Sequence, residues 1–504
     1  MDIYSGAQRD QDIVALCSRS NIMKILRPER CVVWGGTPCA ACTEDIELEK
    51  EMNELEIKIE KVHIRRRALR TAMNENHDPL IHKFPPEIAS HIFTQYSPPS
   101  ASIDKYHMVS LLYLGAVCQK WRRLAWATPE LWTSLCLILD GKPNHDLPQL
   151  VTEWLERSAS LPLTIRYVDC WGLTSDDEII AILNKHSARW HDMHFELLAP
   201  QLHRLNGSSQ ENFLRRLVLH HPFSWIHARP SDFLPFSMKS KPSPVDLTLT
   251  RIGPRYVDIM WNNLTAASVN NLGLDECLEL IRRAPLLETL TLQAIKPSND
   301  DFPIPDTRIV HPHLLSLELL EIWEETVLTG ILDSLCLPSL EQWTHDRSPF
   351  PFNNMTLFGC LSSCLKQFKI GIEEVNYHQL TRFLSRLSSV ECLCTTLLFS
   401  RSDQDELLDL LCASAQSSLF LPRLQSLEFI WDSSPCKSLP QIFAISHWQS
   451  LRVKVDTQRG WSDVQVDVET VKLLLELVDR GYDLSIVRHG KFDLLQEFKE
   501  KWLP

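Results

Sequence analysis

Short apolar triplets of the form L-x-x-L-x-L recur along the chain from about residue 160 to its end. Five of them start at Leu287, Leu314, Leu340, Leu365 and Val390, so that successive starts lie 25 to 27 residues apart. A unit of this size cannot bury its apolar side chains alone, and such units are stable only when neighbours stack on one another. The spacing therefore predicts a stacked domain. The triplets are Trp190-Met193-Phe195, Leu214-Leu217-Leu219, Leu287-Leu290-Leu292, Leu314-Leu317-Leu319, Leu365-Phe368-Ile370 and Leu424-Leu427-Phe429, with weaker copies at Leu340-Trp343, Val390-Leu393 and Trp448-Leu451-Val453.

The alternation within each triplet indicates a β-strand, because successive side chains of a strand point to opposite faces. Helical stretches such as 274–281 lie between triplets. A strand and a helix per unit resemble a leucine-rich repeat, and the resemblance implies a parallel sheet with helices on its other side. The asparagine that marks many such repeats is largely missing, so the repeats are irregular, and a compact α/β domain is the alternative. We expect Leu290, Leu292, Leu317 and Leu319 to face the core, and Thr289, Thr291, Ser316 and Glu318 to face solvent.

A second feature is a helix-forming segment between Leu80 and Trp132. Pro85 and Pro86 suit a helix start, since proline lacks the N–H that a first turn leaves unpaired, and Glu87 complements the positive helix end. Ile88, Ile92 and Phe93 are expected on one apolar side of this helix. A second helix is predicted from about 108 to 125, with an apolar stripe of Leu111, Leu114, Val117, Cys118, Trp121 and Leu124.

This combination resembles the F-box. The residues that carry the resemblance are Phe84-Pro85-Pro86-Glu87-Ile88, then Val117-Cys118-x-x-Trp121-Arg122, then Pro129-x-Leu131-Trp132. A long loop around 97–102 and the Pro-Glu-Leu-Trp ending are similar to the F-box expansions of mushroom-forming fungi. The resemblance implies binding to a Skp-type adaptor and a cullin. The adaptor-binding residues it implies are Phe84, Pro85, Glu87, Ile88, Ile92, Phe93, Val117, Cys118, Trp121, Leu131 and Trp132.

A charged helical segment precedes the F-box-like residues. Its apolar residues follow the steps of four and three that characterise a coiled coil, with Arg66 taking one core position. An acidic first part and a basic stretch at 65–70 would favour antiparallel pairing of two copies. Self-association through 44–75 and packing within the chain both fit the pattern. We call the apolar row the heptad seam; it comprises Leu48, Met52, Leu55, Ile59, Val62, Leu69 and Met73.

Composition limits the classes of function. The formal charge of −13 and the lack of a basic face argue against nucleic acid as a partner. No apolar run approaches the roughly 20 residues that cross a bilayer, and the N-terminus lacks a signal-peptide pattern. The fifteen cysteines lack the spacing of a disulfide framework, which favours reduced thiols and a cytoplasmic or nuclear location.

Catalytic and metal-binding patterns are weak. Cys39 and Cys42 have ligand spacing, but Cys17 and Cys31 lie too far apart to complete a strong zinc motif. On a strand, His194 and Glu196 share a face while His191 lies opposite, so they cannot bind one metal without a bend. No phosphate loop, nucleophile elbow or metalloprotease motif occurs. We expect no cofactor and no metal.

The sequence thus predicts an α/β chain with a helical N-terminal part. We expect a flexible leader at 1–43, a coiled-coil-like helix at 44–75, an all-α F-box at 78–135, and an irregular leucine-rich-repeat-like solenoid with a parallel sheet at 150–504. Residues 468–478, followed by Gly481, read as a final helix that caps the solenoid. The implied function is that of a non-catalytic substrate receptor of a cullin ubiquitin ligase, acting on an unknown protein. The alternatives are a ligase-independent F-box assembly and a hydrolase hidden in the repeats.

Overall fold

The computed structural model describes residues 38–77, 80, 83–96, 105–139, 146–169, 177–209, 211–222, 235–349, 364–371, 377–397, 401–431, 438–457, 468–488 and 492–502. The described residues divide into two compact units. The first contains those up to Phe93 together with Tyr113–Ala125, and the second contains those of Thr94–Leu112 and of Trp126 onward. Most of the predicted leader, including Cys17 and Cys31, lies outside the described residues. In the described part, no helix is both long and apolar enough to cross a membrane.

The N-terminal part is helical, as predicted. Among the described residues, four helices precede the sheet: α1 (Ala40–His77), α2 (Pro86–Gln95), α3 (Lys105–Val117) and α4 (Gln119–Trp126). The first of these contains the whole predicted segment 44–75 and begins four residues before it.

The prediction of one unbroken helix from 108 to 125 is wrong, because the chain breaks at Cys118 between α3 and α4. The Cys118 Sγ accepts a hydrogen bond from the Trp121 N–H at 3.4 Å, and the Cys118 carbonyl accepts one from the Arg122 N–H at 3.0 Å. Cys118 therefore occupies the N-cap position of α4 and takes up N–H groups that a helix start leaves unsatisfied.

The second unit is built on one large sheet. Among the described residues, fifteen strands follow the order β1-β2-β3-β4-β6-β8-β9-β11-β13-β14-β15-β16-β17-β18-β19. Neighbouring strands are parallel except β18 and β19, and two short parallel pairs, β5–β7 and β10–β12, lie outside the sheet. The strands are β1 (Ser134–Leu139), β2 (Leu163–Asp169), β3 (Trp190–Glu196), β4 (Arg216–His220), β5 (Phe236–Ser237), β6 (Asp246–Thr250), β7 (Val257–Asp258), β8 (Ala266–Asn270), β9 (Thr289–Gln293), β10 (Ile309–Val310), β11 (Ser316–Leu320), β12 (Leu335–Cys336), β13 (Gln342–Asp346), β14 (Gln367–Gly371), β15 (Cys392–Leu397), β16 (Ser426–Trp431), β17 (Arg452–Thr457), β18 (Leu484–Arg488) and β19 (Phe492–Asp493).

Helices connect many of these strands, since parallel strands need a crossover. Between β6 and β8 the described connection uses two 3₁₀ turns instead, Pro254–Tyr256 and Trp261–Asn263. The expectation of one helix per repeat therefore fails there. The helices of this part are α5 (Leu147–Arg157), α6 (Asp177–Lys185), α7 (Ala199–Arg204), α8 (Leu274–Arg283), α9 (Glu325–Ser334), α10 (Tyr377–Leu384), α11 (Arg401–Ser414), α12 (Val468–Asp479) and α13 (Leu494–Trp502); further 3₁₀ turns are Pro129–Trp132, Ser187–Arg189, Leu439–Ala444 and Ser446–Trp448.

The register confirms the predicted core positions. Leu317 of β11 pairs with Leu290 of β9, and Leu319 pairs with Leu292. All four side chains are buried, each with 1% or less of its surface exposed. Parallel strands whose leucines stand in register form a continuous apolar layer, so neighbouring units stabilise one another.

Strand ends in the middle of the sheet share one backbone device. In five neighbouring strands of the large sheet, β6, β8, β9, β11 and β13, the residue directly after the strand has a positive φ between 50° and 64°. This conformation is uncommon outside glycine. Each of these residues donates its N–H to the carbonyl of the last residue of the next strand, so that the turn and the register are fixed together. The five residues are Arg251, Asn271, Ala294, Glu321 and Arg347.

Two predicted boundaries need correction. The sheet begins at Ser134, well before residue 150, and the first two residues of β1 therefore lie within the segment assigned to an all-α F-box. At the other end, α12 stops as predicted, with Gly481 at φ +92° donating its N–H to the Val478 carbonyl at 2.9 Å. It is not the final element, because β18, β19 and α13 follow it.

Candidate functional site

Helix α2 begins where the prolines predict. The Pro85 carbonyl accepts hydrogen bonds from the N–H groups of Ile88 and Ala89, both at 3.1 Å. Glu87 lies in the first turn, where its negative charge complements the positive end of the helix. The two prolines and the glutamate thus fix the start of α2 and, with it, the direction in which its later side chains point.

The two sides of α2 differ sharply. Ala89 and Phe93 are buried, with 1% and 2% of their surface exposed, whereas Ile88 and Ile92 are 47% and 41% exposed. The expectation that Ile88, Ile92 and Phe93 share one side is therefore wrong for Phe93. Phe84, four residues before Ile88, is also 45% exposed. We refer to Phe84, Ile88 and Ile92 as the α2 surface.

The buried side of α2 packs on α4. The rings of Phe93 and Trp121 lie 4.9 Å apart, centre to centre, with their planes inclined by 46°. The Arg122 Nε donates to the Gly115 carbonyl at 2.8 Å and ties the end of α3 to α4 across the break at Cys118. These contacts hold the backbone behind the α2 surface, so its exposed isoleucines stand on a packed support.

The structure separates the predicted adaptor-binding residues into three groups. The exposed ones are Phe84, Pro85, Glu87, Ile88, Ile92 and Val117. The half-buried ones are Cys118 and Trp121. The buried ones are Phe93, Leu131 and Trp132.

Leu131 and Trp132 belong to the second unit, and they lie just before the first strand of the sheet. Trp132 meets Trp154 edge to face at 4.7 Å, and the Arg157 guanidinium lies 4.9 Å from the centre of the Trp132 ring. The Trp154 Nε1–H donates to the Ser134 carbonyl at 3.1 Å, which attaches α5 to the first residue of β1. This end of the F-box pattern therefore packs on α5, which is itself attached to the first strand of the sheet.

The comparison with known families identifies this region. Residues 81–138 match the F-box-like family model. The segment is an F-box-like domain. Such domains bind Skp-type adaptors, and their presence indicates an adaptor-binding role in ubiquitin ligase complexes. No curated protein matches the chain.

The sheet offers a second, different surface, which we call the strand face. It consists of the strand residues that alternate with the core residues, and the register aligns them in three rows. The first row is Thr164, Asp192, Arg216, Asp246, Ala266, Thr289, Ser316, Gln342, Gln367, Cys392, Ser426 and Arg452. The middle row is Arg166, His194, Val218, Thr248, Ser268, Thr291, Glu318, Thr344, Lys369, Cys394, Glu428 and Lys454. The third row is Val168, Glu196, His220, Thr250, Asn270, Gln293, Leu320, Asp346, Gly371, Thr396, Ile430 and Asp456.

Several charges at the β2–β6 end of the strand face are paired with one another. Arg216 lies between two carboxylates, 3.2 Å from Asp246 and 3.9 Å from Asp192. Glu196 lies 3.7 Å from the His220 ring nitrogen. Burial raises the pKa of Asp192, and the nearby Arg216 opposes that effect. This end therefore carries fixed positive and negative positions with little excess of either sign.

The middle of the strand face is rich in hydroxyl and amide groups. The Thr291 hydroxyl donates to Glu318 at 2.9 Å. A chain of contacts crosses four strands at the carboxyl edge: Asn270 donates to Gln293, and Gln293 donates to Glu321, each at 3.0 Å, and Arg347 lies 3.3 Å from Glu321. Such groups can recognise a polypeptide by hydrogen bonds and shape, and no strong net field is required.

Burial shifts the pKa values of two titratable groups on the strand face. Burial lowers the pKa of His194 to about 4, and the neighbouring Arg166 acts in the same direction. Burial likewise raises the pKa of Cys394 to about 11, which keeps this thiol protonated and unreactive at neutral pH. Among the described residues, no group of three or more His, Cys, Asp or Glu side chains could hold a metal ion.

Sequence reasoning named the strand-face positions of β9 and β11 and, on β3, those of His194 and Glu196, but missed the other positions of β2 to β6. The outward positions of β9 and β11 are confirmed: Thr289 is exposed, and Thr291, Ser316 and Glu318 are half-buried. The paired charges Asp192, Arg216 and Asp246 come together only through the register of three strands separated by unequal connections. Aligning each triplet by its second apolar residue would place Asp192 and Arg216 side by side, since each directly precedes that residue.

Proposed function

We propose that this chain is the substrate-recognition subunit of a Skp–cullin ubiquitin ligase. The observation that carries the proposal is the pair of half-exposed isoleucines, Ile88 and Ile92, within the segment that matches the F-box-like model. Large apolar side chains that stay exposed on a rigid helix are suited to burial against a partner. The Skp-type adaptor is the partner for which such a domain is known, and the adaptor in turn connects to the cullin.

The burial of each predicted residue suggests whether it contacts the adaptor or supports the residues that do. Contact with the adaptor is assigned to the exposed group, with Ile88 and Ile92 at its centre and Val117 at the end of α3. Cys118 and Trp121 lie at the margin between contact and support. Phe93, Leu131 and Trp132 are assigned to support, because side chains that are 1–2% exposed have little surface left to offer a partner.

The large sheet is proposed to be an irregular leucine-rich-repeat-like solenoid that holds the target protein. Its support is the register of stacked leucines and the strand order that follows the chain. The target would bind on the strand face, through the hydroxyl and amide groups of the middle strands. Tethering the target near the conjugating enzyme raises its effective concentration, so the receptor itself performs no bond chemistry.

The proposal also covers the type of F-box and the place in the cell where the protein acts. The long loop around 97–102 and the Pro-Glu-Leu-Trp ending support an F-box of the fungal type. The proposed place of action is the cytoplasm or the nucleus, where thiols stay reduced.

The experiment is an affinity purification of the full chain from cells in which proteasomal degradation is blocked. The double substitution Ile88→Asp with Ile92→Asp should lose the adaptor and cullin while retaining the target. The double substitution Ser268→Lys with Thr289→Lys, on the strand face, should lose the target while retaining the adaptor and cullin. Phe213→Asp with Leu419→Asp is the matched control, because both side chains are exposed (68% and 79%) and lie outside both surfaces.

Two results would overturn the proposal. Retention of the adaptor by a folded Ile88/Ile92 variant would remove the F-box anchor. Capture of the adaptor without any cullin by the parent chain would favour a ligase-independent assembly instead.

A further inference from the structure

Helix α1 carries an apolar surface that the described part of its own chain leaves open. It runs for 38 residues, and the heptad seam extends over 26 of them, from Leu48 to Met73. Every seam residue is between 48% and 64% exposed. Packing of the seam within the chain, the alternative that the sequence left open, would have buried these side chains. The 4–3 spacing is that of helices that pair lengthwise.

We propose that two copies of this chain pair through the heptad seam, with the two α1 helices antiparallel. The proposal is independent of the ligase function, because it uses no residue of the α2 surface or of the strand face.

The charges beside the seam discriminate between the two orientations. Glu51 directly precedes the core residue Met52, and Arg65 directly precedes the core residue Arg66. In a parallel pair, a residue at this position lies near the residue five places further along the second helix. Glu51 would then face Glu56 of the second copy, and Arg65 would face Arg70. Both contacts bring like charges together, which is destabilising.

The antiparallel orientation reverses these signs. When Ile59 of one copy packs on Val62 of the other, Glu51 comes beside Arg65 of the second copy and Glu49 beside Arg70. The two-fold symmetry forms each of these two attractive contacts twice, against one like-charge contact between the Lys58 residues of the two copies. Opposite charges flanking a coiled-coil seam determine partner and orientation, so the sequence of α1 favours the antiparallel pair.

Arg66 supports the same orientation. It occupies a core position of the seam, and in a parallel pair the same core position of both helices meets, so that Arg66 would face Arg66. In the antiparallel pair Arg66 faces Leu55 of the second copy, next to Glu56 of that copy. The charged head can then reach a carboxylate while its stem covers apolar surface.

The first test is the mass of the full chain in solution, measured by light scattering across a dilution series. The parent should move from the 58.1 kDa monomer towards twice that mass as concentration rises. Ile59→Asp with Val62→Asp should weaken dimerisation by about 100-fold or more, because these two positions pack on each other across the pair and four like charges would be buried there. Ile57→Asp with Ile64→Asp is the matched control, since these residues are equally exposed but lie opposite the seam, and it should dimerise like the parent.

The second test determines orientation. Glu49→Lys with Glu51→Lys should weaken the antiparallel dimer by about tenfold or more, because four attractive contacts become repulsive. Adding Arg65→Glu and Arg70→Glu to that variant should restore dimerisation. The charge-matched control is Glu54→Lys with Glu60→Lys, at positions away from the seam, and it should leave the dimer unchanged.

A full chain that stays at the monomer mass at tens of micromolar would overturn self-association. A dimer that survives Ile59→Asp with Val62→Asp would show that the seam is not the interface. A dimer that Glu49→Lys with Glu51→Lys strengthens would establish the parallel orientation, because a positive charge at position 51 would then face Glu56 of the second copy.

Discussion

The α2 surface and the strand face are opposite kinds of surface. The α2 surface is small and apolar, with isoleucines left exposed on a helix whose other side packs tightly. The strand face extends across the sheet, is largely polar, and has many of its charges paired with one another. An apolar surface gains affinity from burial against one fixed partner, whereas a polar surface with internal pairs gains selectivity from the arrangement of its groups. Under the proposed function, the chain combines a general attachment point with a selective one.

The comparison predicts that Trp132, at the end of the F-box pattern, stabilises the second unit, which contains the sheet. Trp132→Ala should destabilise the second unit by about 3–5 kcal/mol, because a fully buried ring against Trp154 and Arg157 is lost. Urea unfolding, monitored by amide hydrogen exchange in β1, would measure the loss of unfolding free energy. Trp126→Ala is the control: this ring also lies against Arg157 but is 45% exposed, so its loss should cost clearly less. Equal costs for the two would separate Trp132 from the core of the sheet.

A core leucine should behave differently from its neighbour on the strand face. Leu317→Ala should lower the free energy of unfolding by about 2–5 kcal/mol, because it leaves a cavity between β9 and β13. Ser316→Ala, one residue earlier and half-buried on the strand face, should change it by about 0.5 kcal/mol or less. Urea midpoints of the two variants test this directly, and similar midpoints would contradict the alternation of the strand.

Acid should weaken the sheet through a buried histidine. Burial lowers the pKa of His345 to about 4, while the same histidine in the unfolded chain titrates near 6.5. Below pH 6.5 the unfolded state therefore binds the extra proton, and stability falls as the pH drops towards 4, by up to about 3 kcal/mol. His345→Gln cannot take up this proton, so its unfolding free energy should fall less between pH 7 and pH 4. Parallel pH profiles of the variant and the parent would refute the role of His345.

The smallest effect on stability is expected on the strand face itself. Thr289→Lys should change the free energy of unfolding by about 0.5 kcal/mol or less, because Thr289 is exposed at the start of β9. Thermal unfolding of the purified variant provides the check. A loss comparable to that of Leu317→Ala would mean that the strand face is structural, and the binding surface would have to be sought elsewhere.

The sequence predicted local structure well and boundaries poorly. The leucine alternation around Leu290 and Leu317 placed their strands and core positions correctly, because burial of one face imposes period two. Strand β8 was missed because Ala267 and Val269 replace leucines in its core positions. The break at Cys118 was also missed, since a cysteine is an unusual helix cap and the apolar stripe continues through it. On α2, the spacing alone could not separate Phe93 from Ile92, which adjoin in sequence but differ in burial once Trp121 packs behind them.

The central claim is that Ile88 and Ile92 form the attachment point, and binding of the purified full chain to a purified Skp-type adaptor tests it most directly. Calorimetry should show that Ile88→Asp with Ile92→Asp weakens binding by at least about 100-fold, because two charges would enter an apolar interface. The thermal midpoint should stay close to that of the parent, since both side chains are half exposed in the free chain. An affinity within a few-fold of the parent, in a variant that remains folded, would contradict the account.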